Sequence, residues 1–194
     1  MPDRGLRRLI AEHVEFDDIA DAAIPLHVVA FDVKDGHEVL LSRGPTVDVI
    51  AATAAIPGIL PPVRIGDRHL IDGGVVNNTP ISHAVALGAE RIFVFPTQEW
   101  PRPLADGPHG ALAAGIHGMT LLMDRRLESD MARYSSVAEL IVLPAPNPSH
   151  VKPIEFDHAD RLVRDAWRAT RSQLSRETAA PRAGYATAAL RTAA

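Results

Sequence analysis

Leu70-Ile-Asp-Gly-Gly-Val-Val-Asn-Asn-Thr-Pro80 is the stretch on which the reading of this chain turns. An apolar run ends directly in Asp72, and two glycines follow. Strand ends are where α/β folds place ligands and catalytic groups, which makes Asp72 a candidate catalytic residue. Gly73 and Gly74 let another backbone or a substrate come close. Asp-Gly is also among the commonest turn dipeptides, so a plain polar turn over residues 72–78 competes with that reading. In either case Asn77 and Asn78 can hold the loop by bonding nearby backbone. Pro80 then opens a helix to about Leu87, and Gly88 closes it.

Working outward, strands and helices alternate. Residues 6–14 read as a short helix with Leu6, Leu9, Ile10 and His13 on one face. Residues 26–33 are rich in branched side chains and read as a strand. Asp35-Gly36 is a hairpin turn signal, and residues 37–41 form the return strand. Residues 46–55 read as a helix with Thr46 at its N-cap, stopped by Pro57-Gly58. Residues 63–65 and 69–71 flank a tight turn at Gly66-Asp67. Downstream, residues 91–95 are an apolar strand and residues 97–110 a surface loop. A long helix is expected over residues 111–134, its charged second half carrying solvent-facing ion pairs. Residues 139–143 are the last strand and 145–153 a proline-rich loop. Asp157 caps a helix running to about Leu174. Residues 177–194, rich in Ala, Thr and Arg, read as a disordered tail after a domain over residues 1–176. Alternation of this kind predicts an α/β layered fold.

Composition narrows the function. The chain has 194 residues, with 20 Lys+Arg against 24 Asp+Glu and a formal net charge of -4. Such a balance offers no electrostatic basis for binding nucleic acid. With no cysteine, disulfides, thiolate zinc sites, iron–sulfur clusters and a cysteine nucleophile are excluded, and a reducing cytoplasm is compatible. The N-terminus is too charged for a signal peptide. The longest apolar stretch, residues 47–63, carries Asp48 and three prolines, so it cannot span a bilayer as a helix. Membrane contact, if any, is peripheral. No phosphate-binding loop, Gly-x-Gly-x-x-Gly fingerprint or His-Glu-x-x-His pair occurs. The nine histidines show no ligand spacing and read as surface or core residues rather than metal ligands. No metal and no cofactor is expected.

Four segments, taken in order, point further. They are Ile24-Pro-Leu-His-Val-Val-Ala-Phe-Asp32, Ala51-Ala-Thr-Ala-Ala-Ile-Pro-Gly-Ile-Leu-Pro-Pro-Val63, the Asp72-Gly73-Gly74 block with its Asn-x-Pro, and Ile154-Glu-Phe-Asp-His-Ala-Asp160. In this order the chain resembles the patatin-like phospholipases, bacterial members especially, from about Gly5 to Leu174. The resemblance implies a three-layer α/β/α domain with a mostly parallel sheet. It implies hydrolysis of lipid acyl esters by a serine–aspartate dyad without histidine. The serine of the family lies on a Gly-x-Ser-x-Gly elbow, and a glycine-rich loop supplies the oxyanion hole. The aspartate of the dyad corresponds to Asp72.

The elbow is missing. Ser42, Ser82, Ser129, Ser135, Ser136, Ser149, Ser172 and Ser175 are the serines, and none has glycine at both flanking positions. No glycine-rich oxyanion loop is present either. In the family both lie upstream of the first segment matched here. The chain is therefore expected to hold the aspartate part of the domain, with the N-terminal part missing, and to be inactive alone. Its sheet would keep an open edge available to another chain or a second copy. Ser42 at a strand end and Ser82 in a helix's first turn are the candidate substitutes, and both lack the tight turn that exposes an elbow serine. The competing expectation is a non-catalytic half-domain that binds a lipid or a complementary protein chain.

Overall fold

The computed structural model describes residues 3–96, 107, 109–145 and 156–179. Two compact units divide the chain: residues 1–92 with 104–140, and residues 93–103 with 141–194.

In the first unit, α1 (Arg4–His13) leads to β1 (Val28–Asp32), β2 (His37–Leu41) and α2 (Thr46–Thr53). β3 (Val63–Ile65), β4 (Arg68–Asp72), α3 (Gly74–Asn77) and α4 (Ile81–Ala86) follow. The sheet order is β2-β1-β4-β3. Every pairing in it is antiparallel: Ala30 faces Val39 and Asp72, and Val63 faces Leu70. The α/β class holds, but the expected mostly parallel direction is corrected for these four strands. For two of the three pairings the cause is local. Gly66 (φ 61°) takes the left-handed conformation in the two-residue turn between Ile65 and Arg68, and Gly36 (φ 72°) does so in the four-residue loop between Asp32 and His37. Loops this short join only antiparallel neighbours.

Strand alternation sorts the two faces. Ala30, Leu70 and Val63 lie on the face packed by α1 and α2, with Ile10, Ile19, Val49 and Ala52 in the same cluster. Ile19 and Leu70 are fully buried, each worth about 2–3 kcal/mol on transfer from water. Asp72 stands on this same face, where β4 ends, and its N–H donates to the Ala55 carbonyl beyond α2 (3.1 Å). Glu38, opposite Phe31 on the other face, reaches Asn77 of α3 and His83 of α4. The sheet thus lies between two helical layers.

Thr46 is not an N-cap. Pro45 holds that position, and the Thr46 N–H is taken by the Asp17 carbonyl (2.7 Å). Its hydroxyl is buried without a partner among the described residues. The expected polar loop over residues 72–78 contains the short helix α3.

α5 (Ala111–Tyr134) matches its expected span. Arg125 and Glu128 pair in solvent as expected (2.8 Å). Asp130, however, is buried, and Arg126 Nε donates to it (2.9 Å). β5 (Arg91–Val94) and β6 (Glu139–Val142) form a second sheet. Glu139 N–H bonds Glu90 and Leu143 N–H bonds Val94; the bonds advance together along both strands, as in a parallel pair.

In the second unit, α6 (Ala159–Ala179) follows a 3-10 turn at Phe156–His158. Residues 177–179, expected in the tail, continue this helix. The expected loops over residues 97–110 and 145–153 fall almost wholly outside the described residues, as does the rest of the tail. No described helix is long and apolar enough to cross a membrane.

Candidate active site

Three interactions place Asp72. Its N–H is bonded to Ala55, which ties the end of β4 to the end of α2. Its Oδ1 accepts from the Gly74 N–H at 2.7 Å. Gly73 lies hard against β1: a Cβ there would sit 2.5 Å from the Val29 carbonyl carbon and closer still to its oxygen. No side chain fits, so glycine is needed here for close approach, as the sequence suggested. The φ of Gly73 is -65°, so the constraint is space and not backbone freedom.

Asp72 opens onto a cleft of about 350 Å3, lined also by His27, Val29, Thr53, Gly74 and Asn77. Burial raises the Asp72 pKa above the ordinary 3.8, and the single Gly74 N–H opposes that only in part. Desolvation penalises the charged form, and one hydrogen bond does not repay it. Oδ2 has no bonding partner among the described residues. A carboxylate with one anchored oxygen and one open oxygen, made more basic by burial, is suited to accept a proton.

Below the cleft is a polar network. Asn77, 2% exposed, donates through Nδ2 to Glu38 Oε1 (2.8 Å) and Ser82 Oγ (3.1 Å). His83 Nε2 bonds the same Glu38 oxygen. The Asn77 Oδ1 is buried with no partner among the described residues. Ser82 is accordingly an anchor for Asn77. Ser42 lies at the open end of the β1–β2 hairpin, exposed, sharing a 2.7 Å hydrogen bond with His27 Nδ1. Among the described residues, no hydrogen bond joins either serine to Asp72. Among the described residues no three His, Asp or Glu side chains gather into a metal site.

Glu38, Thr53 and His83 were not singled out from the sequence. Thr53 Oγ1 donates to the Val29 carbonyl (2.7 Å), bonding the same carbonyl group that Gly73 approaches. No local pattern announces these contacts, since their partners lie far away in the chain. His27 falls within the quoted 24–32 segment, which was the one available signal.

The family model described as patatin-like phospholipase matches residues 1–85, the span that contains Asp72, the cleft and the Asn77 network. The chain is also similar to the uncharacterized NTE family protein Rv2565 of Mycobacterium tuberculosis. They are 24% identical over 163 residues, or 75% of this chain and 28% of that protein. The NTE family protein Rv1063c of the same organism is 35% identical over 72 residues, 37% of this chain and 20% of its own length. The chain thus spans less than a third of the length of the curated relatives it matches.

Proposed function

We propose that Asp72 is the general base of a patatin-like lipid acyl hydrolase, and that the serine it activates lies outside these 194 residues. The observation that carries this reading is the placement of Asp72. It sits at a strand end on an open cleft, its pKa raised by burial and one oxygen fixed by Gly74. Similarity to the patatin-like phospholipase family over residues 1–85 supports the class of reaction, and the absence of Gly-x-Ser-x-Gly in the sequence supports the division of labour.

The chemistry follows from that placement. As the serine oxygen bonds the ester carbonyl carbon, its proton passes to Asp72 Oδ2, and the carbonyl π electrons move to oxygen. Collapse expels the alcohol, which takes the proton from Asp72 and leaves an acyl-serine. Water then attacks the acyl-serine, with Asp72 again taking a proton; collapse breaks the bond to the serine oxygen, which takes that proton from Asp72, and the fatty acid is released. The Gly74 N–H keeps Oδ1 from rotating away while Oδ2 works.

The test uses the polypeptide extended upstream in its own reading frame to include a Gly-x-Ser-x-Gly segment. Asp72→Asn should lower hydrolysis of a p-nitrophenyl acyl ester by about 10²–10⁴-fold with an unchanged circular dichroism spectrum. Turnover near the parent's would overturn the assignment. The 194-residue chain alone should show no turnover. Activity that copurifies with it and is lost on Ser42→Ala or Ser82→Ala would overturn the placement of the nucleophile outside it.

A further inference from the structure

We propose that the solvent-facing side of α6 is a docking surface for an anionic lipid bilayer. The helix has three distinct stripes. Leu162, Ala166, Ala169, Thr170 and Gln173 are half-buried, and Gln173 Nε2 donates to the Val142 carbonyl (3.1 Å), so this stripe faces the rest of its unit. Next to it, Val163 and Trp167 stand one turn apart, 67% and 57% exposed. Beyond them, Arg161, Arg164, Arg168 and Arg171 recur at steps of three and four residues, which places them on one side of the helix.

Val163 and Trp167 already have a packed stripe beside them, so their exposure is not the leftover of an undersized core. An exposed tryptophan flanked by arginines suits one environment well. The indole lies at the boundary between acyl chains and headgroups, while guanidinium groups bond phosphate oxygens. The Arg171 guanidinium sits 4.7 Å from the centre of the Trp167 ring, holding cation and indole together. The acidic residues on the helix oppose this only weakly. Asp165 pairs with Arg168 at 3.5 Å, Asp160 lies in the first turn, and Arg161 and Arg164 have no ion pair among the described residues. A patch with four arginines on a chain of net charge -4 is a local concentration of positive charge, complementary to an anionic surface.

This inference rests on α6 alone and stands whether or not Asp72 is a base, because its test reads binding and not hydrolysis. The chain is sedimented with phosphatidylcholine vesicles, with and without phosphatidylglycerol. It should pellet with the anionic vesicles only, and added salt should release it. Arg164→Gln with Arg168→Gln should weaken partitioning about thirtyfold, about fivefold per arginine. Arg164→Lys with Arg168→Lys should keep most of it. Trp167→Ser should cost about tenfold, and with Trp100→Phe leaving one indole, Trp167 emission should shift to the blue on binding. Equal pelleting without phosphatidylglycerol, no pelleting at all, or an unmoved Trp167 emission would each overturn the proposal.

Discussion

Asp18 and Asp72 are both carboxylates that accept backbone N–H groups, yet they are driven in opposite directions. Asp18 takes two, from Ala20 (2.9 Å) and Gly44 (2.8 Å), and these hold its pKa below the ordinary range. Asp72 takes one, and burial wins, so its pKa rises. On the proposed function, the difference separates a structural acid from the proposed base. Asp18 joins the turn at Ile19–Asp21 to the segment before α2, and the fold is arranged to keep it ionised. Asp72 is held in position by groups that do not fully satisfy its charge. A carboxylate kept incompletely satisfied at a cleft costs stability, as the proposed role of Asp72 requires.

The strongest way to break this contrast is to dislodge Asp72 without touching it. Gly73→Ala would drive a methyl group into the Val29 carbonyl, which is backbone and cannot move aside. We expect a loss of about 3 kcal/mol or more in urea unfolding. A loss under about 1 kcal/mol would mean that the loop stands off β1 in solution. A smaller effect is expected from the far end of the same loop. Asn77→Ala removes the buried amide shared by Glu38 and Ser82 and leaves a gap at the floor of the cleft. About 2 kcal/mol should be lost, read from the same denaturation curves. An unchanged midpoint would show that the network does not anchor α3.

The parts of the molecule legible in the sequence are those that local chemistry decides. The Asp35-Gly36 and Gly66-Asp67 turns, the span of α5 and the need for glycine after Asp72 were all readable. The two turns give β1–β2 and β3–β4 the antiparallel sense that the sequence indicated, whereas the antiparallel pairing of β1 with β4 joins strands far apart in the chain and has no local signal. α3 was missed for a different reason. Gly74-Val-Val-Asn77 is too short to show periodicity and is built from poor helix formers. It forms because the Val76 and Asn77 N–H groups both find the Gly73 carbonyl (3.0 and 2.8 Å). The Glu38–Asn77–His83 contacts join residues far apart in the chain, so only the folded sheet brings them together. Thr46 failed as a cap because it is already the first helical residue, after Pro45, and its buried hydroxyl accepts no backbone N–H among the described residues.

The subtlest test applies one chemical change to both acids. Asp18→Asn and Asp72→Asn each preserve an acceptor oxygen and remove the charge, so shape is nearly constant and the ionised form alone is probed. Asp18 has a lowered folded pKa, so its charge contributes stability above 3.8, and that contribution is lost as pH falls through the folded value. Asp72 has a raised folded pKa, so its charge costs stability at pH values above that pKa. The cost fades as pH falls through it and is gone below 3.8. Near neutral pH, Asp18→Asn should therefore lower the thermal midpoint and Asp72→Asn should raise it. On acidification the Asp72 gap should close first, on the alkaline side of 3.8, and the Asp18 gap only on the acid side. Thermal melts of the two variants and the parent from neutral to acid pH would check both signs. If Asp72→Asn lowered the midpoint at neutral pH, the carboxylate would be stabilised after all. Asp72 would then be a loop-holding residue like Asp18, and its basicity could not be credited to burial.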